Sequence, residues 1–246
     1  MLRDTILVSF SGSQVHEKLQ LELDSLYKDL FFRHEMWNKP RFMETDFYKQ
    51  NQKLFKYEKY FGYFAWKPYI IEQSLLDKSE IENVLYLDAN FRIRDIDKFF
   101  QLFYKYMTTE GLFIPRYPFH MNREWTKRDV FKIMDADSEK YWNSFQVWTS
   151  VMGFKKYTYF DQPLTDYSYF CKNPHVLNEE PNRDSFDLPE FKEHRWEQSV
   201  MSILVERYGV NCVPYLELEK CVYKVYPEEL NEQKRNETPD KLLESV

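Results

Sequence analysis

Glycine is scarce in this chain, with five in 246 residues, at positions 12, 62, 111, 153 and 209. Gly-x-Gly-x-x-Gly turns and phosphate-cradling P-loops need several closely spaced glycines. Their absence excludes nicotinamide, flavin and P-loop nucleotide enzymes. The sequence also lacks His-Glu-x-x-His and Gly-x-Ser-x-Gly, and its five histidines are scattered, which argues against a zinc site. Any bound nucleotide must therefore be held through its diphosphate, by a cation and by side chains.

Cysteines and long apolar runs are also rare. The three cysteines, at positions 171, 212 and 221, form no Cys-x-x-Cys pair and cannot all pair internally, so we expect reduced thiols in a reducing compartment. No apolar run has the length of a signal-peptide core or of a membrane span. These observations predict a cytoplasmic protein. An aromatic content of 19% leaves room for a membrane-facing patch and peripheral membrane association.

Charge and length limit the remaining classes. With 34 basic against 40 acidic residues the net charge is −6, which argues against a nucleic-acid-binding protein, because phosphate contacts need an electropositive face. An apolar fraction of 43% is ample for a core. We predict a single domain over residues 1–226. Residues 227–246 are charged and poor in large apolar side chains, which indicates a tail or a surface helix.

Helical and strand patterns alternate along the chain. A short strand at residues 6–8 precedes a helix with apolar positions from Val15 to Leu30, and residues 31–60 are interpreted as a loop plus a helix. Pro68 fits the first turn of a helix that leads to a strand at residues 84–87. Later patterns predict strands at 113–114, 145–154 and from 211, a Thr126–Asp129 capping box, and a helix at about 197–208 that ends before Gly209. This order is typical of an α/β domain.

The apolar run at residues 84–87 ends in two oxygen-bearing side chains one residue apart, Asp88 and Asn90. Such a run fits an inner strand, and ligands of α/β sheets bind at the carboxyl ends of strands. Asp88 and Asn90 point the same way and can offer two oxygens to Mg²⁺ or Mn²⁺. The alternative is a strand-end turn that uses Asp and Asn for its own hydrogen bonds. Two other acidic pairs, Asp95 with Asp97 and Asp135 with Asp137, lie beside helical patterns and are interpreted as helix ends.

Three ordered motifs resemble those of bacterial and viral surface-glycan glycosyltransferases. They are GYFAWKPYII at residues 62–71, YLDAN at 86–90 and EHRWEQS at 193–199. Family members commonly read Trp-x-Trp-Lys-Pro-Tyr, Tyr-Leu-Asp-Ala-Gly and His-Arg-His-Asp-Gln-Ser. This chain departs from them at Phe64, Trp196 and Glu197, and Asn90 stands where the usual Asp-x-Asp has its second acid. The resemblance covers roughly residues 6–214.

The resemblance implies a GT-A-like fold, with a mixed central sheet flanked by helices, and a nucleotide-diphospho sugar as donor. It implies transfer from a UDP- or GDP-linked sugar to a glycan acceptor, by a hexosyltransferase-like enzyme of surface polysaccharide, lipopolysaccharide or glycoprotein biosynthesis. Mn²⁺ or Mg²⁺ would be bound by Asp88 and Asn90. The residues implied in donor binding are Trp66, Lys67, Asp88, Ala89, Asn90, His194 and Arg195, and those implied in catalysis are Glu197 and Gln198.

Individual residues in these motifs have other interpretations. Lys67 fits a diphosphate contact, a partner of a strand-end carboxylate, or a solvated lysine beside Trp66. Glu197 fits a general base, a group that orients the site, or a favourable charge at a helix N-terminus. Two other functions also fit an Asp after a buried strand: a phosphohydrolase with Asp88 as nucleophile, and a sugar-binding module without catalysis.

Overall fold

The computed structural model describes residues 2–76, 81–156, 161–183 and 185–226. The predicted tail at 227–246 lies outside the described residues. In the described part of the chain the strands are β1 (Leu2–Ser11), β2 (Phe31–Asn38), β3 (Asn83–Leu87), β4 (Phe91–Ile93), β5 (Leu112–Phe113), β6 (Pro115–Met121), β7 (Phe145–Val147), β8 (Val151–Lys155), β9 (Val213–Pro214) and β10 (Val222–Lys224). The helical segments are α1 (Gln14–Tyr27), α2 (Lys39–Met43), α3 (Asp46–Gln50), α4 (Gln52–Phe55), α5 (Tyr60–Tyr63), α6 (Trp66–Leu75), α7 (Ile96–Thr109), α8 (Asn122–Trp125), α9 (Arg128–Ile133), α10 (Glu139–Trp142), α11 (Asp161–Phe170), α12 (Pro174–Leu177), α13 (Trp196–Arg207) and α14 (Tyr215–Leu218).

A mixed five-stranded sheet forms the centre, in the order β2-β1-β3-β8-β5. β1 is parallel to β2 and β3, whereas β8 is antiparallel to both β3 and β5. Two smaller sheets, β7-β6-β9 and β10-β4, lie outside it. The prediction of an α/β fold with a mixed central sheet is confirmed.

The inner strands bury both faces, which explains their unbroken apolar runs. Because successive side chains of a strand point to opposite faces, Val84 and Tyr86 join one hydrophobic cluster and Leu85 and Leu87 the other. The first cluster includes side chains of α6, α11 and α13, and the second includes those of α1 and α7. Helices therefore cover both faces of the sheet.

The interpretation of residues 31–60 as a loop plus a helix is wrong, because β2 begins this stretch and pairs in parallel with β1. β2 is an edge strand whose polar side chains have partners nearby. His34 bonds to Ser9 through Nε2 at 2.7 Å, and Glu35 accepts from the Ser74 hydroxyl at 2.7 Å. These side chains hide the apolar alternation by which a strand is usually predicted.

The ends of several elements match the sequence signals. Asp95 caps α7, with its carboxylate accepting from the Lys98 N–H at 3.0 Å, and Gly209 follows α13 with a left-handed φ of 63°. The prediction of a capping box at Thr126 and Asp129 is wrong. The Thr126 hydroxyl accepts from the Gln146 side-chain amide, and the Asp129 carboxylate accepts from the Arg183 N–H.

The strand predicted at 145–154 is two strands, β7 and β8, with a break at residues 148–150. The strand predicted from residue 211 is the two-residue β9, and β10 was not predicted. No helix among the described residues is long and apolar enough to cross a membrane.

Gly153 of β8 lies against side chains of α7 and β5, so we predict that Gly153→Ala destabilises the fold. An added Cβ would lie 2.6 Å from Phe103 Cε2 and 2.9 Å from Phe113 Cβ. We expect a loss of about 1–3 kcal/mol in the free energy of unfolding, the usual range for overpacking. Urea denaturation measures it. In the control Gly12→Ala the nearest atoms are 3.9 Å away, and we expect a change below about 1 kcal/mol. Equal values for the two variants would contradict this packing.

Candidate active site

The candidate site is a cavity of about 980 Å³ at the carboxyl ends of β1 and β3. These strands are parallel neighbours, so the residues that follow each of them lie at the same edge of the sheet. Ligands of open α/β sheets bind at this edge. Gly12 and Ser13 after β1, and Asp88, Ala89 and Asn90 after β3, all line the cavity.

β8 brings a third segment to this edge because it runs antiparallel to β3. Leu87 pairs with Val151, so the chain that enters β8 lies beside the chain that leaves β3. The backbone N–H of Asp88 donates to the carbonyl of Ser150 at 2.9 Å. Ser150 lines the cavity, and Thr149 is buried.

The Asp88 carboxylate is partly exposed to the cavity and has two partners inside the protein. Its Oδ1 accepts from the Tyr86 hydroxyl at 2.5 Å and lies 3.9 Å from Lys67 Nζ. Burial, and then the charge of Asp88, raise the pKa of Tyr86 well above its usual value, so the phenol stays protonated and donates. Burial lowers the pKa of His16, an effect that Asp88 opposes and Lys224 reinforces. Asp88 is therefore the anionic centre of a group of donors.

Lys67 and Glu197 form a buried ion pair next to Asp88. Lys67 Nζ donates to Glu197 Oε1 at 2.8 Å and to the Thr149 carbonyl at 3.3 Å, and the Thr149 hydroxyl donates to the same Oε1 at 2.9 Å. Burial lowers the pKa of Lys67, but the charges of Glu197 and Asp88 outweigh it, so the net pKa is raised and the ammonium persists. Burial raises the pKa of Glu197, and Lys67 offsets part of that rise.

Of the two residues predicted for catalysis, the structure brings Gln198 to the wall of the cavity. Gln198 lines it, and its Nε2 donates to Gln146 Oε1 at 2.8 Å. Gln146 Nε2 donates in turn to Asn122 Oδ1 at 3.0 Å, so the amide group of Gln198 is fixed by a buried network. Glu197 is buried and is not among the described residues that line the cavity.

The residues predicted for donor binding separate into a lining group and a buried group. Trp66, Ala89, Asn90 and Arg195 line the cavity with Asp88. Trp66 stacks on Phe10, with ring centroids 3.8 Å apart. The guanidinium carbon of Arg195 lies 4.4 Å from the ring centroid of Trp125, which holds it in place by a cation–π contact. Lys67 and His194 are buried outside the lining group.

Asp88 and Asn90 fit a divalent cation that is shared with a ligand. The two side chains can offer one carboxylate and one amide oxygen, and the part of the chain that the structure describes contains no group of three or more His, Cys, Asp or Glu residues around a common point. Mg²⁺-type cations are commonly held by one or two carboxylates together with substrate phosphates. The donor set therefore suits a cation bound jointly by the protein and a diphosphate.

Several cavity residues escaped the sequence analysis. The missed residues include these charged or titratable side chains: His16, Lys39, Glu58, Arg94, Glu219 and Lys224. Ser13 and His16 follow a strand in the same way as Asp88 does, so the strand-end rule identifies them once β1 is placed beside β3. Lys224 has no such signal, because it reaches the cavity only through the pairing of β10 with β4.

No protein-family model and no curated protein match the sequence. The solved structures that are similar to this chain include two glycosyltransferases. Mouse xyloside xylosyltransferase 1, in its apo form, has 11% sequence identity and a TM-score of 0.46, over 85% of this chain and 84% of that one. A glycosyltransferase involved in the glycosylation of the major capsid of PBCV-1 has 13% identity and a TM-score of 0.37, over 77% and 80%. Both TM-scores are below 0.5.

His194 holds the segment before α13 and does not face the cavity. Its Nε2 donates to the Val176 carbonyl at 2.7 Å, and its Nδ1 accepts from the Lys127 N–H at 3.4 Å. Burial lowers the pKa of His194 to about 3. The imidazole is therefore neutral, and both of its nitrogens are bonded within the protein.

We predict that His194 makes the fold sensitive to acid. Between its ordinary pKa of 6.5 and its folded pKa of about 3, the unfolded chain binds a proton that the folded protein does not, so stability falls as pH falls. Relative to His194→Asn, the wild type should lose up to about 1.4 kcal/mol more per pH unit in this window. Urea denaturation at a series of pH values measures the difference. Parallel stability curves for the two proteins would contradict a buried neutral His194.

Proposed function

We propose that this protein is a glycosyltransferase that uses a nucleotide-diphospho sugar and has a GT-A-like fold. The observation that carries the proposal is the cavity at the carboxyl ends of β1 and β3, which Asp88 and Asn90 line together with several cationic side chains. This arrangement suits a diphosphate bridged by a cation. In the proposal the acceptor is a glycan, as the three sequence motifs imply.

The charges of the cavity support binding of an anion. Its described lining residues include four cationic side chains, Lys39, Arg94, Arg195 and Lys224, and three carboxylates, Glu58, Asp88 and Glu219. α1 also begins here, with the Ser13 side chain as its N-cap, and the N-terminus of a helix favours negative charge. A diphosphate at this position gains from the helix, from the basic side chains and from a cation on Asp88.

A bound Mn²⁺ or Mg²⁺ would neutralise the charge that develops on the departing nucleotide diphosphate. The protein's own residues prepare the site for it. Tyr86 donates to Oδ1 of Asp88, and Lys67 lies 3.9 Å from the same oxygen, so the carboxylate is held in one orientation. Arg195 lines the cavity and supplies a fixed positive charge to the leaving group.

Glu197 fits a positioning residue better than a general base. A general base must come within hydrogen-bond reach of the acceptor hydroxyl. Glu197 is 3% exposed, and its Oε1 already accepts from Lys67 and Thr149. In this proposal Glu197 fixes Lys67, while Gln198 on the cavity wall contacts the sugars.

We predict that one class of nucleotide-diphospho sugar stabilises the protein and that Asp88 is needed for this effect. A ligand at a hundred times its Kd adds about 2.7 kcal/mol to the free energy of unfolding. Thermal unfolding with UDP-, GDP-, dTDP- and CMP-sugars, each with Mn²⁺, measures the shift. Asp88→Asn keeps the size of the side chain but removes the charge, and it should lose both the shift and sugar transfer.

The matched control is Asp97→Asn, which removes a carboxylate from the exposed first turn of α7, outside the cavity. It should bind nucleotide sugars and transfer sugar as the wild type does. Full transfer activity in Asp88→Asn would sink the proposal. A shift with the CMP-sugar alone would exclude the diphosphate model, because that donor carries a single phosphate.

We predict that the cation and the nucleotide bind together. Two protein oxygens alone hold Mn²⁺ weakly, since the diphosphate supplies the other strong ligands. Mn²⁺ without nucleotide should therefore shift the unfolding temperature little, and Mn²⁺ with the preferred donor should shift it more than the donor alone. Addition of a chelator should remove that increment and stop transfer. Transfer that survives the chelator would show that the basic side chains suffice.

A further inference from the structure

The segment 60–64 has a left-handed backbone at five consecutive residues. The φ angles are 50°, 53°, 72°, 54° and 63° for Tyr60, Phe61, Gly62, Tyr63 and Phe64. Only Gly62 lacks the Cβ that disfavours this region, so four aromatic residues adopt a conformation that L-amino acids rarely use in succession. Trp196, across the cavity wall, has a left-handed φ of 47° as well. Backbone conformations of this kind concentrate at ligand-binding and active sites.

The left-handed turn divides its rings between the core and the cavity. Tyr63 is buried in the core, whereas Phe61 lines the cavity and stacks on Phe10 with centroids 6.1 Å apart. Tyr60 and Phe64 line the cavity and stack on each other, with centroids 4.8 Å apart and an interplanar angle of 15°. Trp196 also lines the cavity, 4.8 Å from Tyr60. Tyr60 is 50% exposed, with Lys59 Nζ 5.8 Å from its ring centroid, so part of this residue remains accessible to a ligand.

Polar contacts fix this aromatic wall, which we define as Tyr60, Phe64 and Trp196. The Trp196 indole N–H donates to Glu179 Oε1 at 3.1 Å, and Lys59 Nζ donates to the same oxygen at 2.5 Å. Lys59 Nζ also lies 4.9 Å from the Trp196 ring centroid. A wall held in this way is preorganised for a flat ligand surface.

The aromatic wall lies close to Asp88, the residue proposed to bind the divalent cation. Lys67 Nζ lies 4.9 Å from the Phe64 ring centroid and 3.9 Å from Asp88 Oδ1. A ligand on the wall would therefore lie next to a diphosphate bound at Asp88. His16 of α1, Asn90 after β3 and Lys224 of β10 also line the cavity with Asp88.

We propose that the aromatic wall is the subsite for the acceptor, and that it binds one pyranose ring of a glycan through the C–H face of that ring. The inference rests on the proposed function, because it makes this saccharide the partner of the donor at Asp88. Pyranose rings present a flat face of C–H groups, which packs on aromatic rings, and hydroxyl edges, which suit the nearby side chains of Glu58 and Gln198. The aromatic wall and these polar neighbours together suit the two kinds of surface that a pyranose presents.

The test uses a panel of methyl pyranosides and saturation-transfer difference NMR on the full-length protein. The probes are the methyl glycosides of glucose, galactose, mannose, xylose, rhamnose and N-acetylglucosamine. We expect at least one to bind, with the strongest saturation on the protons of one ring face. Tyr60→Gly should weaken that binding about tenfold, the upper range for a lost aromatic contact. Tyr60→Phe, which keeps the ring, should retain it.

Tyr60→Gly also separates folding from binding, because glycine adopts a φ of 50° freely. Its unfolding temperature should be no lower than that of the wild type. Tyr60→Asn, whose side chain tolerates the left-handed region, is a second variant with the same expected loss. The matched control is Tyr169→Ala, which removes a 68% exposed ring outside the cavity and should bind as the wild type does.

The outcomes distinguish this inference from the proposed function. If no methyl pyranoside binds, or if Tyr60→Gly binds it unchanged, the acceptor subsite is wrong even where a nucleotide sugar still shifts the unfolding temperature. If Tyr60→Gly instead loses the nucleotide-sugar shift, the wall holds the nucleobase and the inference is overturned. If a pyranoside binds through Tyr60 but no nucleotide sugar does, the saccharide site stands and the transferase proposal fails.

Discussion

The buried contact between Lys67 and Glu197 is the interaction on which the site depends. An ammonium and a carboxylate are taken out of water together, 2.8 Å apart, and each satisfies the other. Leaving either one unpaired in this position costs about 3–5 kcal/mol, so the pair favours the arrangement in which both helices pack together on the sheet. Lys67 belongs to α6 and Glu197 to α13, and both reach the segment before β8 through Thr149. Three distant parts of the chain are thereby fixed around one point.

The ion pair of Lys67 and Glu197 also determines where several cavity-lining residues lie. Trp66 precedes Lys67, and Trp196 and Gln198 flank Glu197, and all three line the cavity. When the ion pair fixes the first turns of α6 and α13, it also fixes these neighbours. The same buried ion pair therefore positions Trp196 of the aromatic wall together with Trp66 and Gln198, although neither Lys67 nor Glu197 is a described lining residue itself.

The sequence predicted those parts of the fold and site whose signals are local. Residues 84–87 are uniformly apolar because both faces of β3 are covered, and this fixed the position of Asp88 at a strand end. The helices α6, α7 and α13 followed from similar local patterns, whereas the mixed sheet was implied by the family resemblance. The polar edge strand β2 could not be predicted, because its hydrogen bonds to Ser9 and Ser74 come from distant residues.

Other features depend on tertiary contacts that no single segment encodes. Glu197 lies in the first turn of a helix, where a solvated acid is common. Its burial is explained by its ion pair with Lys67, which comes from a distant part of the chain. The left-handed turn at residues 60–64 contains one glycine, so local preference opposes it and its surroundings impose it. The antiparallel direction of β8 delivers Thr149 and Ser150 to the site from the beginning of a strand rather than its end.

Two of the ion pairs near the cavity differ in how strongly dissolved salt screens them. Lys67 and Glu197 are 3% exposed, so mobile ions cannot come between them. Lys59 and Glu179 are 41% and 36% exposed, and their attraction is screened as ionic strength rises. High ionic strength therefore leaves the ion pair of Lys67 and Glu197 intact. It weakens the pairing of Lys59 with Glu179, the carboxylate that accepts from the Trp196 indole N–H. Dissolved salt thus acts on the exposed contacts beside the aromatic wall and leaves the buried ion pair unchanged.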